Sequence, residues 1–552
     1  MSKKNKGIKA IVVVLVVVLC LLGGFLIYSL KNKENTTIMY LASSSKDTVL
    51  YDSDLNKTTL TRGKEVSLSN KTKEVDGETL YKIYYDDNTY YISLDNLVSN
   101  REDCVKEKEL WAYRTCSVYE NADGEDLNGL LYKGDKIEIT GHSEVLDDGS
   151  VKRYGYSGGY VNSKYLTDDE SYASSQDDSS YATYMQSKTS DDYGAGSASS
   201  LDYYPNEKPS FEDNVMPEVC KTLYINMEAI KDIEDYIELA KQTSVNTFVI
   251  DIRDAHIVTF KADTMKEYSP TSYDAAYFSK DEFEAQMNKV KEAGIYMVAR
   301  ITVFKDKNFM IDHPEYAIID KDGNEPFLYG GSYWPSAYKR EVWEYNVKLA
   351  KEVVKLGFNE IQFDYVRFPE QIDYYADVLD ALDLQNEYDE TRAEAIQRFL
   401  MYACDELHDV HAYVSADVFG ETSNDYVCAY GQYWPAISNV VDVISPMPYP
   451  DHFLPHSYNI EEVVWEVPYK LLSAWGKQAI LRQNETTTPA RVRTYIQGYD
   501  SIYEPYVAYD NEKLKEQIDG LKDSGIYDNG YIVWNSGSYI DNYYLFKDAL
   551  SE

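Results

Sequence analysis

Beyond about Val219 the chain alternates between two apolar patterns. Short runs in which nearly every position is apolar read as strands buried on both faces. They are KTLYIN, NTFVIDI, YMVARITVF, EIQFDYV, AYVSADVF, DVISPMPY, TYIQGY and GYIVWN. Between them lie stretches whose apolar residues recur every three to four positions, the period of a helix with one buried face. Glu228 to Thr243 places Ile230, Ile233, Ile237 and Ala240 on one side, and Arg340 to Leu356 does so with Val342, Leu349, Val353 and Leu356. Gly294, Gly357 and Gly525 stand where helices over 282–293, 340–356 and 512–524 would stop. Eight strand–helix units within residues 213–552 predict a (β/α)8 TIM-type barrel. A doubly wound sheet would want a glycine-rich turn after its first strand, and that turn reads INMEAI.

The pattern ahead of residue 213 is different. An uncharged run from Ala10 to Leu30 is 21 residues long, with Lys3, Lys4, Lys6 and Lys9 before it and Lys31 after it. That length suits one transmembrane helix. The leading lysines favour a cytoplasmic tail at 1–9 and an extracellular remainder. Residues 38–99 and 104–167 each contain short strands, polar turns and a glycine-bearing turn (RGKEV, KGDKI). Their endings, YISLDNLV and GYVNSKYL, resemble those of bacterial SH3-like domains of cell-wall proteins, the second more fully. Residues 168–212 read as a disordered linker, since Asp168 to Ser200 is dominated by Ser, Asp, Tyr and Gly and has no apolar period.

Composition narrows the function. Apolar residues make up 44% of the 552, enough for full cores. Asp and Glu number 93 against 54 Lys and Arg, a formal charge of −39, and such a surface repels nucleic-acid phosphates. Tyr is unusually common, 54 against 16 Phe, and suits sugar-ring platforms. With six Cys and neither a CxxC nor an HExxH motif, a structural or protease zinc site has no support. Cys104 and Cys116, both in the extracellular part, are candidates for a local disulfide.

Barrel enzymes carry their chemistry at the C-terminal ends of strands. Read in order, those ends supply Asp251 and Asp254, Arg300, Asp364 and Arg367, Asp417, Tyr449, then Trp534 and Asn535. Carboxylates with an arginine and aromatics at one mouth suit glycoside hydrolysis, which needs one acid to donate a proton and another to attack or stabilise the sugar cation. On this reading Asp364 and Asp417 are the catalytic pair, and the remaining seven contact substrate. Neighbouring strands run about 4.8 Å apart, which favours a closely spaced, retaining pair. Plainer roles compete: Asp364 could pair with Arg367, Asp417 with another cation, and Trp534 could be packing. Asp251, Asp254 and His256 are a weak metal set, and neither a metal nor a cofactor is expected.

LGFNEIQFDYVRFPE (356–370), YMVARITVFKD (296–306), SADVFG (415–420) and ISPMPYP (444–450) together resemble the glycosyl hydrolase domain family of bacterial envelope proteins, over about Thr222 to Tyr543. Gly498 stands where that family more usually has an acid after Gln. The resemblance implies a glycoside-hydrolase-like barrel acting on a polysaccharide or peptidoglycan-related glycan. Two alternatives remain open: a non-catalytic carbohydrate-binding or wall-scaffolding barrel, and a metal-dependent carbohydrate esterase.

Overall fold

The computed structural model describes residues 36–174, 194–373 and 376–552. The expected transmembrane helix at 10–30 lies outside them, and among the described residues no helix is long and apolar enough to cross a membrane. These residues form two compact units, one of the described residues up to Tyr113 with Lys133–Ala173, and one of Arg114–Tyr132 with the described residues from Ser174 onward.

The first unit is antiparallel. Seven strands between Thr36 and Val98 form one sheet, whose inward face buries Leu41, Leu50, Val66, Ile83 and Ile92. Cys104 and Cys116 are buried free thiols, so the candidate local disulfide is absent.

The second unit is a parallel β/α barrel. Its strands are β1 (Cys220–Ile225), β2 (Thr247–Asp254), β3 (Tyr296–Thr302), β4 (Glu360–Asp364), β5 (Tyr413–Phe419), β6 (Val443–Met447), β7 (Arg491–Val492 and Thr494–Gln497) and β8 (Gly530–Trp534). Each pairs in parallel with the next, and β8 returns to β1. The eight predicted runs are these eight strands. Burial on both faces explains why they lack alternation: every residue of β3 is buried. Helices α1 (Ile233–Lys241), α2 (Lys280–Glu292), α3 (Arg340–Val354), α4 (Arg392–His408), α5 (Trp434–Ser438), α6 (Pro468–Asn484) and α7 (Asn511–Ser524) fall between strands. Ser279 with Glu282 and Thr391 with Glu394 cap α2 and α4 reciprocally, which fixes where those helices begin. Gly530 starts β8 at φ +88°, and a Cβ there would lie 2.0 Å from the Cys220 carbonyl oxygen. Only glycine lets β8 close onto β1.

Residues 194–212, placed in the linker by composition, pack instead against the barrel. Ala195, Ala198, Leu201 and Tyr203 are buried with Ala393, Val427, Tyr433 and Ala436. Small residues there let the backbone approach α4 closely, a role composition cannot reveal. Residues 114–132 also join this unit: the Leu127 N–H donates to Glu344 at 2.6 Å, and Lys351 pairs with Glu125 at 2.9 Å.

Alternate residues of each strand fill the barrel interior. At the N-terminal end Arg493 meets Glu360 through two bonds of 3.0 and 3.1 Å, both side chains wholly buried. Tyr224, Val249, Val298, Tyr495 and Ile532 pack in one apolar cluster above them. Removing one partner of a buried pair strands the other charge. Arg493→Ala should therefore cost about 3–5 kcal/mol by denaturant unfolding. An Arg493→Met/Glu360→Leu double variant should recover most of that loss.

Candidate active site

Above those apolar residues, at the C-terminal mouth, sits a buried cluster of charge centred on Arg300. Its guanidinium donates to Asp251 Oδ1 from Nη1 at 2.7 Å, and to Asp364 Oδ2 from Nη2 at 2.6 Å and Nε at 3.0 Å. Asp254 Oδ1 lies 3.9 Å from Nη2, and Asp417 Oδ2 lies 4.0 Å from Nε. Four carboxyl groups from three strands thus face one cation. The indole of Trp534 covers the guanidinium at 5.3 Å and the Tyr224 ring at 5.7 Å.

Local backbone features aim these groups. In β2 the pairing register with β3 shifts between Asp251 and Arg253. That irregularity keeps Asp251 inward while Arg253 turns outward to Asp306, Tyr345 and Asn346. Tyr365 and Ala255, directly after Asp364 and Asp254, hold left-handed φ of 50° and 53°. Non-glycine residues rarely adopt that conformation, and its cost is typical of functional sites. At Tyr365 it points the backbone N–H at Asp364 Oδ1, 2.6 Å away.

The acids differ in environment. Asp417 is fully buried, and its Oδ1 has no hydrogen-bond partner. Burial, then the adjacent charge of Asp364, push its pKa well above the usual carboxylate range, only partly opposed by Arg300. The Tyr495 hydroxyl lies 3.2 Å from Asp417 Oδ2 and 3.0 Å from Gln362 Oε1, and its one proton can serve either. A protonated Asp417 can donate to Tyr495 while Tyr495 donates to Gln362. Asp251 is buried and rises to about 6, despite Arg300 and a hydrogen bond from the Tyr224 hydroxyl.

The remaining candidates divide. Tyr449 is buried beside Tyr495, Tyr499 and Trp534, with ring centroids 6.2–6.5 Å apart. Arg367 does not reach Asp364. It pairs with Glu370 at 2.7 Å and stacks on Phe419, Tyr365 and Trp334. Asn535 spends its side chain on backbone, donating to the Gly498 carbonyl just after β7 at 2.8 Å and accepting from the Gly537 N–H of its own loop at 3.1 Å. Gly498 itself lies so close to β8 that a Cβ would meet Val533 at 2.6 Å, so no side chain fits there. Tyr224, Gln362 and Tyr495 were not among the sequence candidates, because interior tyrosines in strands look like core. Among the described residues no group of three or more His, Cys, Asp or Glu is arranged to hold a metal ion. The cation these acids face is Arg300.

A parallel barrel with aspartates, an arginine and aromatics at its C-terminal mouth has the architecture of glycoside-hydrolase barrels. The chain belongs to the family described as "Putative glycosyl hydrolase domain", whose sequence model matches residues 222–539. Among solved structures, the glycoside hydrolase domain of PgaB (BpsB) from Bordetella bronchiseptica is 13% identical, with 60% of this chain and 99% of that one covered and a TM-score of 0.41. The spore cortex-lytic enzyme SleL from Bacillus megaterium is 12% identical, over 61% of this chain and 75% of that one, at 0.37. A hypothetical protein from Ruminiclostridium thermocellum is 27% identical over 36% of this chain and 97% of that one, at 0.29. No curated protein matches the chain by sequence.

The Asp251 environment has a measurable consequence. A carboxyl whose folded pKa is raised binds its proton more tightly in the native state than in the unfolded one. Its contribution to stability is therefore present at low pH and lost as pH rises from about 4 to about 6. Asp251→Asn cannot titrate. The unfolding free energy of the wild type relative to Asp251→Asn should fall across that window by on the order of 2–3 kcal/mol, at about 1.4 kcal/mol per pH unit. A flat difference between pH 4 and 7 would contradict the assignment.

Proposed function

We propose that this protein is a membrane-anchored, extracellular glycoside hydrolase acting on an envelope or environmental polysaccharide. The hydrolysis proceeds with retention, Asp364 serving as nucleophile and Asp417 as acid/base. The observation that carries the reading is the unequal treatment of two neighbouring acids. Arg300 gives Asp364 two charge-assisted N–H bonds. Asp417 is buried beside that charge, and burial together with that charge raises its proton affinity. Pairs whose environments push their proton affinities apart are how hydrolases assign acid and nucleophile.

In the first step Asp417 protonates the glycosidic oxygen as the bond to the leaving sugar breaks, and Asp364 attacks the anomeric carbon. The ester so formed has no negative charge. The repulsion that raised Asp417 is then relieved, and the now-ionised Asp417 takes a proton from the water that hydrolyses the ester. The oxygens of the two acids lie 3.0 and 4.0 Å from one nitrogen, Arg300 Nε. That proximity admits the spacing of about 5–5.5 Å between carboxyls that a retaining pair uses. A carbohydrate-binding barrel without turnover is the second reading, favoured by the complete burial of Asp417.

Asp364→Asn and Asp417→Asn should each remain folded and lose about 10²–10⁴-fold in kcat. NMR of the first-formed product should show the substrate's anomeric configuration. Wild-type turnover in both variants would show that other residues carry the chemistry, no turnover by the wild type itself would favour the binding reading, and an inverted product would remove Asp364 as nucleophile. The anchored topology has a separate check. Protease added to intact cells should release the barrel, whereas a barrel protected until the membrane is broken would contradict the orientation.

A further inference from the structure

The loops beyond β5 and β6 enclose a groove of about 1310 Å³. A drug-sized ligand needs roughly 300–1,000 Å³, so this groove takes more than one sugar ring. It begins at Phe419 and Met447, the last residues of β5 and β6, and so runs outward from the strand end that carries Asp417. Tyr458, Trp465 and Tyr503 supply aromatic faces, and Tyr503 is 54% exposed. Asn424 and Gln478, hydrogen-bonded to each other at 2.7 Å, supply polar groups suited to sugar hydroxyls.

The groove's charge is one-sided. Glu421 accepts from the hydroxyls of Tyr426 and Tyr430, each at 2.8 Å. Asp451, 1% exposed, accepts from the Tyr499 hydroxyl at 3.0 Å and the Ile502 N–H at 3.2 Å. All four donors are neutral, so neither carboxyl group is ion-paired to Lys or Arg. The third carboxylate, Glu370, is neutralised by Arg367. No Lys or Arg lines the groove. Its imidazole, His452, is pressed below its ordinary pKa by burial, with Nε2 3.9 Å from Asp451. A charge of −39 over the chain adds to the same field.

We propose that this groove holds the stretch of polysaccharide beyond the cleaved bond and selects sugars that carry free amino groups. The proposal rests on the hydrolase reading for its polymeric substrate, and adds the substrate's charge class. Ammonium groups are drawn to the partly exposed Glu421 and to the faces of the tyrosines and Trp465, while the buried Asp451 adds only its field. Uronate or phosphate-bearing chains meet only repulsion. N-acetylated chains keep the stacking and lose the charge.

The test uses the full-length protein carrying Asp364→Asn. Binding of three hexasaccharides is measured by calorimetry: glucosamine, N-acetylglucosamine and galacturonate. The glucosamine hexamer should bind at least 10-fold more tightly than its N-acetylated counterpart, and the galacturonate hexamer should not bind. The preference should shrink as salt rises. Glu421→Gln keeps the shape and accepts from one tyrosine hydroxyl while donating to the other, which must turn to accept, and should reduce the preference several-fold, whereas Tyr503→Ala should weaken both sugars alike. Equal binding of the two amino-sugar hexamers, any binding of galacturonate, or an unchanged preference in Glu421→Gln overturns the proposal. Product appearing with Asp364→Asn, followed by mass spectrometry in the same samples, would instead count against Asp364 as nucleophile. The two claims can therefore fail separately.

Discussion

A single buried guanidinium organises the mouth of this barrel. Arg300 sits on β3 with its charged end taken from water, a state that is tolerable only when it is surrounded by acceptors. Asp251 from β2 and Asp364 from β4 supply them on either side. Asp417 on β5 approaches the same cation without a hydrogen bond to it. One arginine therefore treats two neighbouring aspartates unequally, donating twice to Asp364 and not at all to Asp417. Replacing it by lysine would keep the charge and lose the fork that reaches two strands at once.

The fold makes that arrangement possible by layers. Two-residue periodicity puts Tyr296, Val298 and Arg300 of β3, and Glu360, Gln362 and Asp364 of β4, into successive levels of the interior. The lowest level is closed by the Glu360–Arg493 pair, the middle by tyrosines and aliphatic groups, and the highest by the acids. The middle level keeps water from the underside of the cluster, which raises the proton affinity of Asp417 and Asp251. Packing and proton chemistry are thus one property of the barrel, set by which residue stands at each inward position. Strain at Tyr365 and Ala255 adds the last adjustment at the rim.

Much of this was legible in the sequence. Strands buried on both faces appear as unbroken apolar runs, so all eight could be read, and glycines after α2 and α7 marked the helix ends. Because barrel chemistry sits at strand ends, position alone singled out Asp251, Asp254, Arg300, Asp364 and Asp417, which the fold brings to one place. What depends on a single local irregularity stayed hidden. The register shift that turns Arg253 away from the mouth leaves no compositional trace. Arg367 is three residues beyond Asp364 yet turns to Glu370, and Asn535 is absorbed by backbone groups. Tyr495 and Tyr224 act on the acids from positions that pattern assigns to the core. Residues 194–212 looked like linker because small side chains that allow close packing also mark chains that do not fold.

The central claim is that Asp417 keeps its proton where an ordinary aspartate has lost it. Carboxyl carbon NMR of protein labelled selectively at aspartate, with the Asp417 signal assigned by its loss in Asp417→Asn, reads this directly. At pH 5 an unperturbed aspartic acid, with a pKa of about 3.9, is more than nine-tenths ionised. The account expects the Asp417 signal to be that of the neutral acid at this pH and to move only on further titration. A signal already ionised at pH 5 would contradict it, and the division of labour between Asp364 and Asp417 would fall with it.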